Sequence, residues 1–364
     1  MKILFIGDLN TYGRAFQRYR ALLDLGYEVT GLSFMPFGFY PGITGDLVGF
    51  ETKLIKIFFN KLGYPLDSLN INLRTLELMK YFYFDLVWVE KTLMLKPNTI
   101  LELKKLKPGV KVAFYSEDDM YAKHNQSKYF IKCLPLYDLV FTTKSYNCNL
   151  EELPSLGAQK VVFVDKAYDK YTHRYLEITG EEKGILGADV GFVGTYERDR
   201  AEKMLFLAGK GIPIRIWGNG WNSWVNKHKN LIVENIPIYG DDYVKSICAT
   251  KINLCFLRKA SRDLQTDRTM EIPACGGFML AERTSEHLRL FEEGKEADFF
   301  DINKPEELLE KVKYYLEHEN ERLAIAKAGR ERCLKSKYSH HDRLKYMLEY
   351  FEKIVTISMD STII

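Results

Sequence analysis

The chain's densest set of potential ligand groups lies between Arg258 and Gly277. It reads Arg258-Lys259-Ala260-Ser261-Arg262-Asp263-Leu264-Gln265-Thr266-Asp267-Arg268-Thr269-Met270-Glu271-Ile272-Pro273-Ala274-Cys275-Gly276-Gly277. An apolar, strand-like run, Ile252 to Leu257, precedes it, and Phe278-Met279-Leu280 follows. Cations there can neutralise phosphate, a helix start offers free backbone N–H groups, and a carboxylate can accept sugar hydroxyls. The combination suits a sugar nucleotide. Arg268 offers a planar fork for phosphate oxygens and stands with Thr269 at a helix start, where the dipole adds positive character. Arg258 and Lys259 end the preceding strand, where fixed cations would stabilise the charge of a departing diphosphate. Ordinary surface ion pairs are the alternative for any one of these cations.

Two glycine loops accompany the segment. Gly194 and Thr195 join a strand to a helix; the Gly permits close approach of phosphate and Thr195 is placed to cap the helix. Gly218-Asn219-Gly220-Trp221 reads as a wall beside a nucleotide base or as a plain turn with a buried Trp. In the first half, Glu117-Asp118-Asp119 follows a strand. Asp118 or Asp119 could orient an acceptor hydroxyl or serve as its base, a solvated loop being the alternative. Lys144 and Glu90 also follow strands and are further acceptor-side candidates. No metal-ligand spacing occurs, so no obligate metal is expected.

The elements that must hold these residues alternate as strand and helix. Lys2–Ile6, the Gly7–Gly13 loop, a helical pattern over 14–25 and a strand at 27–30 open a parallel α/β sheet. The same opening recurs from Asp189. The division expected is a Rossmann-like domain over 1–168, a linker over 169–188, a second Rossmann-like domain over 189–340 and a helix over 341–364. Two such doubly wound domains form a cleft at the carboxyl ends of their strands. Length and an apolar fraction of 46% support two cores. A net charge of +3 without a basic cluster argues against a nucleic-acid binder. Six scattered cysteines and an N-terminus unlike a signal peptide suit a cytoplasmic protein. The segment 53–62 mixes lysines with large apolar residues. Packing on its own domain is expected of it, with peripheral membrane contact as the alternative.

Residues 189–345 resemble the CgeB-like glycosyltransferases. The likeness is carried by Gly191-Phe192-Val193-Gly194-Thr195-Tyr196-Glu197-Arg198, by Ile216-Trp217-Gly218-Asn219-Gly220-Trp221, by Asp267 to Gly277 with Glu282-Arg283-Thr284, and by Phe291 to Ala297. The resemblance implies a GT-B fold with two Rossmann-like domains facing a central cleft. It implies a nucleotide-diphosphate sugar, UDP- or GDP-linked, held by the second domain, and a glycan, protein or small-molecule hydroxyl acceptor held by the first. The terminal helix would cross back to the first domain. Glu271 would bind the donor ribose. Asp263, eight residues earlier, would occupy the first place of the spaced acidic pair of retaining members, with Asp for Glu. The activity expected is metal-independent, retaining glycosyl transfer. Its rivals are an epimerase or hydrolase on the same scaffold and a non-catalytic sugar-nucleotide binder.

Overall fold

The computed structural model describes residues 1–35 and 50–360. The last four residues of the expected terminal helix lie outside them. The chain divides into two compact units, residues 1–165 with 340–364, and residues 166–339.

The first unit contains β1 (Lys2–Gly7), α1 (Arg14–Asp24), β2 (Glu28–Ser33), α2 (Phe50–Lys61), α3 (Ile71–Tyr81), β3 (Leu86–Glu90), α4 (Pro97–Leu106), β4 (Lys111–Ser116), α5 (Lys128–Cys133), β5 (Leu139–Thr142) and β6 (Val161–Phe163). Among the described residues its strands form a parallel sheet in the order β2-β1-β3-β4-β5-β6. β1, β3, β4 and β5 read as nearly continuous apolar runs because both their faces are covered. Leu4, Ile6, Val87, Val89 and Phe114 fill one face; Ile3, Phe5, Trp88, Tyr115 and Phe141 fill the other.

The second unit contains α6 (Gly180–Leu186), β7 (Val190–Val193), α7 (Arg198–Gly209), β8 (Ile214–Trp217), β9 (Leu231–Val233), α8 (Gly240–Ala249), β10 (Ile252–Cys255), α9 (Asp267–Ala274), β11 (Met279–Glu282), α10 (Ser285–Leu290), β12 (Asp298–Phe300), α11 (Pro305–Glu317) and α12 (Glu319–Lys335). Its parallel sheet runs β12-β11-β10-β7-β8-β9, the Rossmann order. The final helix, α13 (His340–Asp360), belongs to the first unit. Leu344, Met347, Leu348 and Phe351 recur at helical spacing and join the core on one face of the first sheet. His341 reaches Asp24 of α1 at 2.9 Å.

Two segments depart from the sequence reading. Residues 180–186, within the polar stretch read as linker, are helical. Thr179 and Glu182 close a capping box there, and Lys245 of α8 pairs with Glu182 at 2.6 Å. α2 does not bury its apolar side: Leu54, Ile55, Ile57 and Phe58 are 44–59% exposed. Among the described residues no helix is long and apolar enough to cross a membrane.

Candidate active site

In the second sheet the chain departs from β7 toward β8 and β9, then returns on β7's other side to form β10. Ligands of doubly wound sheets bind at the carboxyl ends of strands where the order reverses in this way. Arg268, in the first turn of α9, sits at that point. Its Nη1 donates to the Val193 carbonyl at 3.2 Å and its Nη2 to the Phe256 carbonyl at 2.7 Å. Those carbonyls mark the ends of β7 and β10. The guanidinium also lies over the Phe192 ring, 5.1 Å from its centroid. Turning it away would strand two carbonyls, so the cation is fixed in place.

Other charges crowd around it. Arg200 is buried and meets Glu197 at 2.9 Å; Arg258 meets the same carboxylate at 3.0 Å. Lys259 pairs with Asp199. Glu282, at the end of β11, accepts from the Leu257 N–H at 2.7 Å. Burial raises the Glu282 pKa above the usual carboxylate range. Burial, and then the neighbouring Arg268, lower that of Arg200. Among the described residues, the buried Nε atoms of Arg200 and Arg268 have no hydrogen-bond acceptor. Four cations thus face three carboxylates. Arg258 and Lys259 are 50% and 61% exposed at the side chain, the two most accessible cations of the group. Sequence reasoning missed Arg200 and gave no role to Glu197 and Glu282, which it quoted only within the resemblance. Glu282 was findable as a charged residue at a strand's carboxyl end.

The glycine loops meet beside this cluster. Gly194 donates to the Trp217 carbonyl at 2.8 Å, and the Tyr196 N–H donates to the Asn219 carbonyl at 2.9 Å. A Cβ on Gly194 would lie 2.7 Å from Phe192 Cζ and 3.1 Å from Arg268 Nη1. Gly218 and Asn219 are therefore brought together with Gly194. Thr195 is exposed, and the cap position of α7 is Glu197, so Thr195 does not cap that helix. Trp221 is buried, edge-on to Phe192 and Tyr196, with its indole N–H on the Gly194 carbonyl at 2.9 Å. It supports the loops from inside and does not form an open wall.

Glu271 is the fifth residue of α9 and is buried. Its Oε2 accepts from the Tyr243 hydroxyl at 2.6 Å, and its Oε1 lies 3.6 Å from His173 Nε2. His173 Nδ1 accepts the Asp169 N–H at 3.0 Å, which leaves the ring proton of the neutral form on Nε2, facing Glu271. Burial, reinforced by Glu271, holds the Tyr243 hydroxyl well above its ordinary pKa. Asp263 accepts from the Arg258 N–H at 3.4 Å and so closes its own loop.

Thr269 is fully buried. α9 is capped at Thr266, and Thr269 is the third helical residue of a capping box. Its hydroxyl oxygen accepts the Thr266 N–H at 3.0 Å and lies 2.8 Å from His287 Nε2. The side chain is thus committed inside the fold. His287 Nδ1 lies 2.6 Å from the Glu282 carbonyl, so the neutral ring donates there and accepts the Thr269 proton. Burial pulls the His287 pKa from 6.5 down to about 4. The unfolded chain takes up this proton below its ordinary pKa while the folded chain resists. Stability is therefore full above pH 6.5, falls as pH drops to about 4, and is flat in this contribution below that. The expected loss is roughly 3 kcal/mol at 1.36 kcal/mol per unit. Urea unfolding of His287→Gln should show a shallower loss between those pH values than the wild type; parallel curves would assign the loss elsewhere.

In the first unit the order reverses between β1 and β3. Arg18 of α1 is buried at the end of β3, where it forks onto Glu90 with two 2.8 Å hydrogen bonds. Trp88 donates to the same carboxylate at 2.9 Å, and Glu117 stands 3.3 Å from Arg18. Burial lowers the Arg18 pKa, but Glu117 and Glu90 outweigh it and hold the pKa well above its ordinary value. Asp119 is fully buried and accepts from Asn147 at 2.9 Å and the Tyr121 N–H at 3.1 Å. It organises the loop from within. Asp118 is about one-third exposed at the side chain and pairs with Lys91 at 2.5 Å. Lys144 is buried. Among the described residues no group of three or more His, Cys, Asp or Glu is placed to hold a metal ion.

A family model described as glycosyl transferase-like matches residues 198–349. That stretch holds the cation cluster's Arg200, Arg258, Lys259 and Arg268, together with Glu271. No curated protein matches the chain. Among solved structures, sucrose-phosphate synthase (tll1590) from Thermosynechococcus elongatus superposes with a TM-score of 0.65 at 12% identity, covering 98% of this chain and 100% of that one. An alpha-glucosyltransferase in complex with UDP and a 13-mer DNA gives 0.65 at 14%, covering 98% and 99%. Anabaena Alr3699/HepE in complex with UDP-glucose gives 0.62 at 11%, covering 97% and 100%. These likenesses establish the fold: two Rossmann-like domains of the GT-B kind.

Proposed function

We propose that this protein is a glycosyltransferase that moves a sugar from a nucleotide-diphosphate donor to an acceptor hydroxyl. One observation carries the reading: the Arg268 guanidinium is locked at the switch point of the second sheet, inside the stretch that matches the glycosyl transferase-like family. The donor diphosphate would lie against the backbone of Gly194 and Thr195, close to Gly218 and Asn219. Arg258 and Lys259 would exchange Glu197 and Asp199 for its oxygens. Arg268 would act from beneath, and Glu271 would bind the ribose. UDP and UDP-glucose in solved relatives favour a uracil donor. On the acceptor side Asp118 is better placed than the enclosed Asp119 to meet a hydroxyl.

We take the transfer to be retaining, on the likeness of Asp263 and Glu271 to the spaced acidic pair. Because side-chain cations neutralise the departing diphosphate, no divalent ion is needed, and activity should persist in chelator. The test is UDP and UDP-sugar binding by calorimetry with Arg258→Ala and Lys259→Ala. Both side chains are half-exposed or more and their ion pairs contribute little to stability. Each variant should keep its melting temperature yet bind UDP about tenfold more weakly, with a reduced dependence on salt. Wild-type affinity in both would remove the diphosphate from this place. Donor consumed without any acceptor would favour a hydrolase or epimerase.

A further inference from the structure

Helix α2 lies outside both cores. Its apolar residues Leu54, Ile55, Ile57 and Phe58, and Leu62 just beyond, recur at spacings that gather them on one broad arc. Each is 44% exposed or more, and Phe58 is the most exposed. Among the described residues no other helix or strand packs extensively along α2. Its carboxyl end is tied down. The Gly63 carbonyl accepts the Lys128 N–H at 2.7 Å, Tyr64 stacks edge-on with Tyr129, and the Lys128 ammonium sits 4.8 Å from the Tyr64 ring centre. A helix anchored at one end with its apolar arc in water is costly unless something covers it.

The charges say what covers it. From Leu54 to Tyr64 there is no acidic residue, while Lys61 falls within the arc and Lys128 stands at its anchored end. A second copy meeting this face on a two-fold axis would set lysine against lysine. A surface of acyl chains under anionic headgroups satisfies both components. Large apolar groups enter the acyl boundary, and the lysine stems extend along them to place their ammoniums at headgroup level. We propose that α2 is the face by which this protein docks reversibly on an anionic lipid bilayer.

The test is co-sedimentation of the full chain with phosphatidylglycerol-containing vesicles and with phosphatidylcholine vesicles. Binding is expected to the first, weakened by salt, and little to the second. Phe58→Ser with Leu54→Ser should weaken it tenfold or more, since two large apolar groups no longer enter the lipid. Lys61→Gln should weaken it roughly fivefold. Leu323→Ser, at an exposed leucine of the second unit, should leave it unchanged. The substituted side chains are exposed, so unchanged melting curves will show that folding is intact. Equal binding to both vesicles, no binding, or binding indifferent to Phe58 would overturn the proposal. So would light scattering that shows a wild-type dimer broken by Phe58→Ser, because a second copy would then occupy the face. Soluble UDP binding by the Phe58 variant should equal the wild type, which separates this result from any failure of the donor site.

Discussion

Replacing Glu271 with alanine is expected to weaken UDP-sugar binding by at least tenfold and to lower the melting temperature of the second unit. Two effects combine. The carboxylate is buried in α9, and the Tyr243 hydroxyl donates to it at 2.6 Å. Removing it leaves that hydroxyl without its acceptor in a buried place, which costs roughly 1–3 kcal/mol of stability. On the proposed reading, the charged hydrogen bond that Glu271 would make to a ribose hydroxyl is lost as well. Hydrogen bonds to charged groups contribute about 1.5–3 kcal/mol, or roughly 10- to 150-fold in affinity. The companion variant is Tyr243→Phe. It keeps the carboxylate but removes the group that aims it, so affinity should fall less than in Glu271→Ala while the sugar specificity is kept. Calorimetric titration with UDP and with UDP-glucose reads both. Wild-type affinity in Glu271→Ala, accompanied by the drop in melting temperature, would reduce the residue to a core anchor and end its role at the ribose.

The strands were legible because burial on both faces leaves a short apolar run, rich in β-branched and aromatic residues, that is too brief for a buried helix. Lys2–Gly7, Leu86–Glu90 and Lys111–Ser116 are such runs. α6 was hidden because Gly180 and Gly184 lower its intrinsic propensity. A capping box, the buried Leu186, an ion pair to α8 and the Arg215 guanidinium on the Gly184 and Gly187 carbonyls hold it instead. The cation cluster was legible by composition, but its internal pairing was not. Glu197 and Asp199 lie some sixty residues upstream of Arg258 and Lys259, and only the adjacency of β7 and β10 brings them together. The partners of Glu271 were equally out of reach. His173 comes from the stretch read as linker and Tyr243 from α8, and neither carries a local signature. The apolar residues of α2 showed the reverse failure. Their spacing is that of a helix with a buried face, and spacing cannot say whether the covering surface belongs to the same chain.

Gly218→Ala should be among the most damaging single-methyl changes in the second unit. Gly218 has φ +148°, and a Cβ there would lie 2.0 Å from the Gly194 carbonyl oxygen. That atom is backbone and cannot swing aside. It also accepts the Trp221 indole N–H at 2.9 Å, so pushing it away disturbs the buried Trp that supports both loops. Backbone strain and a displaced buried hydrogen bond together are expected to cost on the order of 3 kcal/mol or more. That corresponds to a fall of roughly 6–12 °C in the melting temperature of a unit this size. UDP binding should drop with it, because Gly194 shifts relative to Arg268. Gly209→Ala is the matched control. It adds the same methyl at the end of α7, where nothing lies within 4 Å. A helix gains about 0.5–1 kcal/mol from that exchange. Opposite signs in the two melting curves, with UDP affinity lost only in Gly218→Ala, would tie the close contact of the two loops to donor binding. A Gly218→Ala variant that melts and binds as the wild type does would show that the loops need not touch at this point.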